Sequence, residues 1–406
     1  MVPNGWTLKN LRDICFINPK KMTKPEGGEV SFIAMNQLSE DGQLISDITK
    51  HYDEVSKGFT SFKDDDVLVA KITPCFENGK GALVRNLVNG LGFGSTEFHV
   101  LRSKKNTCPE FIYYLTRTTE LRAKGEMNMQ GSAGHRRVTA DYFYAYKVKT
   151  PPLTEQRKIA KILSTWDKAI STTKSLIDNS KQQKKALMQQ LLTGAHKGKR
   201  LLDDSGKSFE GDWEEVAIGD LGTIYSGGTP STSNKEYWDG DIDWITPTDI
   251  TKQNSVYINS SVRRISAEGL KNSSAKLVPK GSLLVCTRAT IGEMAITAQE
   301  MCTNQGFKNI IPNQKTNIEF LFYLLTYEKH KLVSKASGST FLELSKTAFE
   351  SMKFNVPLIG EQEKIAAVLT NADNEIVVFE KQLADLKQEK KALMQQLLTG
   401  KRRVLI

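Results

Sequence analysis

A chain of 406 residues with 39% hydrophobic and 8% aromatic content can bury two globular cores and still have length for an elongated element. No apolar run approaches ~18 residues and the N-terminus lacks a charged-then-apolar leader, which argues against a helical membrane protein and predicts a soluble, cytoplasmic one. A net charge of +10 with a pI near 9.1 favours an acidic partner. Nucleic acid is the commonest such partner, because each Lys or Arg that neutralises a phosphate releases a counterion.

In chain order, residues 1–150 read as a first globular unit. GWTLKNLRDI opens it at Trp6, followed by strand-like apolar runs at Val67, Phe98 and Tyr146. The run PEFIYYLTRTTELR places Pro109 in the first turn of a helix. Three loops carry groups suited to an anion: KITPCFENGKGA with Lys71, Asn78 and Lys80; GSTEFHVLRSKK with Lys104 and Lys105; and QGSAGHRRVT with His135, Arg136 and Arg137. Arg and Lys reach guanine edges, Asn and Gln reach adenine edges, and the same side chains hold phosphates.

Residues 151–200 form a different kind of segment. PPLTEQRKIAKIL opens it, and Leu163, Trp166, Ile170, Thr173, Ile177, Ser180, Lys184, Leu187 and Leu191 follow Ile159 in steps of four and three, the spacing of a coiled-coil seam. Glu155 falls in the first turn, and Gly194 suits a left-handed cap. About 40 residues at 1.5 Å each would make a rod roughly 60 Å long. Thr173, Ser180 and Lys184 weaken the apolar stripe, and such residues can set register.

Residues 201–356 read as a second globular unit, opened by DWEEVAIGDL at Trp213, with a strand-like run at Leu283. Its candidate anion-binding residues are Thr287 and Arg288 in TRATIGE, Asn304, Gln305 and Lys308 in TNQGFKN, and Lys335 and Ser339 in SKASGSTFLELSK. Residues 357–406 then repeat the helical segment at an offset of 206, with 22 of 44 positions identical and KKALMQQLLTG copied letter for letter. Echoes between the globular units drift between offsets of about 207 and 216, the trace of small insertions. Both units read as α/β or α+β. If the two helices pair, the connection makes them antiparallel about a pseudo-twofold axis.

Catalytic signatures are thin. No Walker GxxxxGK[ST] is present, the GxG of GLGFGS is too short for a dinucleotide fingerprint, and no Asn-Pro-Pro-aromatic run occurs. Asp64, Asp65 and Asp66 read as a turn, and Asp385-Leu386-Lys387 as helix surface charge. The five cysteines lack CxxC spacing and no two histidines have metal-ligand spacing, so neither a metal site nor a disulfide framework is expected.

The twin PPLTEQRKIAKIL and PLIGEQEKIAAVL openings, the twin KKALMQQLLTG endings, the GW and DW phrases and the two differing units between them resemble the specificity subunit of type I restriction-modification enzymes. The resemblance covers nearly the whole chain. It implies a non-catalytic chain of α+β class, in which two similar target-recognition domains each read one half of a split DNA target. A pair of antiparallel helices sets the spacing between halves. It implies two adenine-N6 methyltransferase subunits docked on the helices, restriction subunits joined to them, and S-adenosylmethionine, ATP and Mg held by those partners rather than by this chain. Two unlike readers imply an asymmetric target. Leu176, Met188 and Met394, apolar positions outside the seam, are the candidate partner contacts. The competing readings are a coiled-coil scaffold, a stand-alone DNA-binding regulator and a self-sufficient enzyme. Base-reading residues follow no fixed motif in this family, so the DNA-contact candidates rest on loop chemistry alone.

Overall fold

The computed structural model describes residues 2–132, 134–193, 200–203, 205–253, 255–337 and 342–404. Two compact units emerge, one made of residues 1–174 with 381–406 and the other of 175–380, so the division cuts through both long helices. The repeat alone sets its boundaries at the helix ends instead.

In the first unit an antiparallel sheet runs Cys15–Ile17, Phe98–Ser103, Asp66–Ala70, Gly81–Leu83. In the second, Gly222–Ser226, Phe307–Pro312, Leu283–Cys286 and Met294–Thr297 take the same places in the same order, with Tyr257–Ile258 added at the edge. The drifting sequence echoes are therefore one sheet written twice. The central strand of each is apolar at successive positions because it is covered on both faces. Val67 and Val69 face the core that holds Phe111 and Leu163, while Leu68 faces the one that holds Phe62 and Phe98. Leu283 and Val285 likewise oppose Leu284 and Cys286. A short strand pair closes each unit, Thr7–Asn10 with Lys147–Thr150 and Glu214–Ala217 with Lys353–Val356.

The long helices span Leu153–Leu192 and Ile359–Leu397. In the first unit Ile159 and Leu163 share a core with Met394, Leu397 and Leu398, and in the second Leu191 and Leu192 share one with Ile365 and Leu369. Early residues of one helix meet late residues of the other, so the helical segments in each unit run antiparallel. The expected seam is buried at Ile159, Leu163, Ile170, Thr173 and Ile177 of the first helix and at Ile365, Leu369, Ile376 and Leu397 of the second. The left-handed cap forms at Gly400, with φ of 72°. Its counterpart Gly194 lies outside the described residues.

The lysines inside the repeated phrase have a role that periodicity does not reveal. Lys184 pairs with Asp373 at 2.5 Å in the second unit, and Lys390 pairs with Asp167 in the first. Each carboxylate also accepts a tyrosine hydroxyl, Tyr323 on Asp373 and Tyr114 on Asp167, both at 2.7 Å. Burial and the adjacent carboxylate raise the pKa of both phenols, so each stays a donor. These trios tie each globular domain to its helices and satisfy the polar groups that interrupt the seam.

The Glu-Gln phrase is explained in the same way. Glu155 is fully buried and accepts Trp6 Nε1 at 2.9 Å and Arg403 Nε and Nη2 at 2.7 and 2.8 Å. Glu361 accepts the Arg200 guanidinium. Gln156 accepts the Cys108 N–H and donates to the Pro151 carbonyl, both at 2.9 Å; Gln362 accepts the Asn317 N–H at 2.9 Å and donates to the Lys315 and Pro357 carbonyls at 3.0 and 2.9 Å. Each helix start is bolted into its domain by hydrogen bonds in a site where leaving one unmade costs about 1–3 kcal/mol.

Leu397 is 2% exposed and closes the core of the first unit. Replacing Leu397 with Ala should lower unfolding free energy by about 2–5 kcal/mol in denaturant titrations, the cost of a buried leucine cavity. An unchanged midpoint would mean that the first unit does not depend on the second helix.

Candidate nucleic-acid interface

The units share the central sheet and also the frame of the sheet beside it, in which one strand pairs antiparallel with an outer strand and parallel with an inner one. The first carries a four-stranded sheet ordered Ile48–His51, Glu29–Ile33, Leu91–Gly94, Thr60–Lys63, and the second a three-stranded one ordered Arg264–Ile265, Trp238–Ile245, Cys302–Thr303. The first unit has Thr60–Lys63 as a full fourth strand where the second has a single bridge between Val278 and Met301, so the units differ chiefly in the loops and side chains carried on a common frame.

In the first unit the three candidate segments meet, the second through Glu97 rather than through its lysines. Val138 N–H donates to the Lys71 carbonyl and Thr73 N–H to that of Arg136, both at 2.9 Å. Lys71, His135, Arg136 and Arg137 are thus brought together beside Glu97. Arg137 is anchored within the chain, with Nε and Nη2 3.0 and 2.9 Å from Glu97 and Nη1 3.0 Å from the His135 carbonyl, and on this half-buried side chain Nη1 and Nη2 each keep one N–H. Arg136 keeps more freedom, with Glu77 at 3.8 Å. Asn78 donates to Glu40 at 2.9 Å and Lys80 to the Met35 carbonyl at 3.4 Å, so both also brace neighbouring loops. Lys104 stands apart, bonded to the Arg12 carbonyl at 2.7 Å over the Phe16 ring, and Lys105 is exposed.

Beneath this loop pair lies His99, 4% exposed, with Nε2 2.9 Å from the Val138 carbonyl and Nδ1 3.0 Å from Asn18 Nδ2. That geometry suits the neutral ring with its proton on Nε2. Burial holds its pKa below the ordinary 6.5, and the Lys71 charge acts in the same direction. The unfolded chain therefore binds a proton that the folded one refuses, and the stability this group contributes is full above 6.5 and declines as pH falls below it. Urea midpoints measured at pH 7.5 and 5.5 should fall on acidification, and less so for His99→Gln. Equal pH dependence in the two proteins would remove His99 from the account.

In the second unit the three candidate loops converge. Thr287 N–H donates to the Gly306 carbonyl at 2.8 Å, Leu344 N–H to that of Thr287 at 2.9 Å, and Arg288 bridges to Glu343 with Nε 3.8 Å from its carboxylate. Two residues need correction. Thr287 is fully buried and its hydroxyl is turned onto the Gly306 carbonyl, so it presents nothing to a ligand. Lys308 lies in a strand between Ser226 and Val285 and is 5% exposed, with burial lowering its pKa. Arg288, Gln305 and Lys335 are exposed and Asn304 half-buried; Asn304 Oδ1 accepts the Gly306 N–H and Gln305 accepts the Thr229 hydroxyl. Ser339 lies outside the described residues. Sequence reading passed over Arg263, whose guanidinium carbon sits 3.8 Å from the centre of the Trp238 ring.

Of the candidate partner contacts, Leu176 is exposed, Met188 packs half-buried against the second unit's core, and Met394 is itself a core residue at 9% exposure. A cavity of about 760 Å³ opens in the first unit, floored by Leu115, Tyr146, Ile170 and Leu398 and rimmed by Lys387 and Lys391. Among the described residues no His, Cys, Asp and Glu group is arranged to hold a metal ion, and no helix is long and apolar enough to cross a membrane. All five cysteines are free, and burial pushes Cys15, Cys286 and Cys302 up to about 12, which keeps these thiols protonated.

Residues 3–180 and 210–388 each match the family described as the type I restriction modification DNA specificity domain. The chain belongs to this family. Each matched stretch takes in one copy of the repeated sheet and most of the long helix that follows it. The chain is 41% identical to the MjaIX specificity subunit of Methanocaldococcus jannaschii, over 42% of its own length and 40% of that protein's. With the putative MjaX specificity subunit of the same organism the identity is 26%, over 99% of this chain and 95% of that one. A solved chain from a study of complex assembly and conformational transition in a type I restriction-modification system shares the fold, with TM-score 0.62 at 20% identity, covering 99% of this chain and all of that one.

Proposed function

We propose that this chain is the DNA-reading subunit of a type I restriction-modification enzyme and that each globular domain recognises one half of an asymmetric, bipartite target. The observation that carries the reading is the pairing of a repeated frame with unrepeated loops. The central sheets, the frame of the flanking sheets and the helix anchors recur, whereas the loops and exposed side chains differ. Two copies of one frame bearing different readers suit two different half-sites.

The chemistry is assigned to partners. Two methyltransferase subunits would use S-adenosylmethionine to methylate adenine N6, and restriction subunits would use ATP and Mg to translocate and cut DNA, all in the cytoplasm. Base flipping is needed to reach an adenine inside a duplex, so the methyltransferase opens DNA that this chain holds in register. The cavity of the first unit supports one docking position, since its apolar floor suits packed side chains and its lysine rim suits acidic ones. Leu176 offers an exposed apolar contact in the second unit.

The helices act as the spacer. Inserting four residues between Leu192 and Thr193 should change the number of unspecified base pairs in the methylated motif and leave both half-sequences intact. A change in the half-sequences would contradict the spacer role.

A further inference from the structure

Arg263 and Val262 occupy a loop that the rest of the second unit has fixed in place. Asp243, 4% exposed, accepts the Ser261 N–H at 2.9 Å and its hydroxyl at 3.0 Å, and Asp249 accepts the Val262 N–H at 3.0 Å. Arg264, the next residue, is held 3.3 Å from Asp243. Among the described residues no carboxylate pairs with Arg263. Its guanidinium lies 3.8 Å over the Trp238 ring and 5.3 Å from that of Trp244, and no acceptor among the described residues takes any of its side-chain N–H donors. The two tryptophans are themselves packed edge to face, 5.0 Å between centroids, with Trp238 Nε1 bonded to the Ser231 carbonyl and Trp244 Nε1 to that of Gly228.

A stacked guanidinium with a vacant donor edge is organised before any ligand arrives, so little rotamer entropy remains to be lost on binding. Beside it, Val262 is 84% exposed although its backbone is pinned. Sheet register sets the direction of both. Trp244 pairs with Cys302 and its N–H meets the Arg263 carbonyl, so the Val262–Arg263 loop leaves the three-stranded sheet at the same end as Asn304 and Gln305.

We infer that Arg263 reads a guanine in the half-site recognised by the second domain, with Val262 against the methyl group of a neighbouring thymine. The inference rests on the proposed DNA-reading function and adds the residues and bases. Guanine N7 and O6 accept a planar donor fork in the major groove, and thymine alone offers a methyl there. A bidentate contact of this kind discriminates roughly 5- to 150-fold against the wrong base.

The test is to map N6-methyladenine genome-wide in cells that express the full chain, or its R263A or R263K variant, with the methyltransferase subunit. Wild type should give a split motif with a required guanine in one half. R263A should accept any base at that position and R263K should relax it in part, because Lys still reaches guanine but lacks the planar fork, and both should leave the other half unchanged. An unchanged R263A motif overturns the inference. Should R263A abolish methylation, binding of its intact complex to four duplexes that differ at that base decides: equal binding supports the inference, and a retained preference for guanine overturns it. Absence of any split motif with the wild-type chain would instead overturn the proposed function.

Discussion

Burial of the Glu-Gln start of each long helix is the interaction on which both units depend. Glu155 is buried where a lone carboxylate would be costly, and it is tolerated because Trp6 and Arg403 converge on it from the two ends of the chain. Glu361 meets Arg200, which follows the first helix, as Arg403 follows the second. Each helix start is therefore secured by residues that lie just beyond the end of the other helix. Removing a carboxylate would strand donors, and removing the arginine would strand a buried charge.

From that anchor the remaining features follow in order. The helix segments supply apolar residues that complete each core, Ile159 and Leu397 in one and Leu191 and Ile365 in the other. The Tyr-Asp-Lys trios fix side-chain register about three turns beyond the anchored start of each helix. With the frame settled by buried groups, the loops and exposed side chains need only be compatible with it, and they are free to differ between domains. This division of labour is physical: stability rests in the repeated parts and chemical variety in the exposed ones.

Much of the frame was legible in the sequence because helices and duplications leave long-period signals. The four-three stepping from Ile159 marks the buried seam, and the identical endings mark equivalent helix ends. The lysines of that ending looked like flaws in the stripe, since their partners Asp167 and Asp373 sit on the other helix. Thr287 and Lys308 read as loop residues because the strands that bury them are short and flanked by glycines. Arg263 left no signal at all, since its platform Trp238 lies 25 residues away and is delivered only by sheet pairing. Arg137 was visible as a cation, but its carboxylate Glu97 was not.

The central claim is that this chain brings sequence recognition to a partner that performs the methylation. It is tested most directly by mapping N6-methyladenine in a host that carries the methyltransferase subunit, with and without this chain. The account predicts a split, asymmetric motif that appears only when the chain is present. The same methylation in its absence, or no motif from a complex verified as assembled and supplied with S-adenosylmethionine, would contradict it.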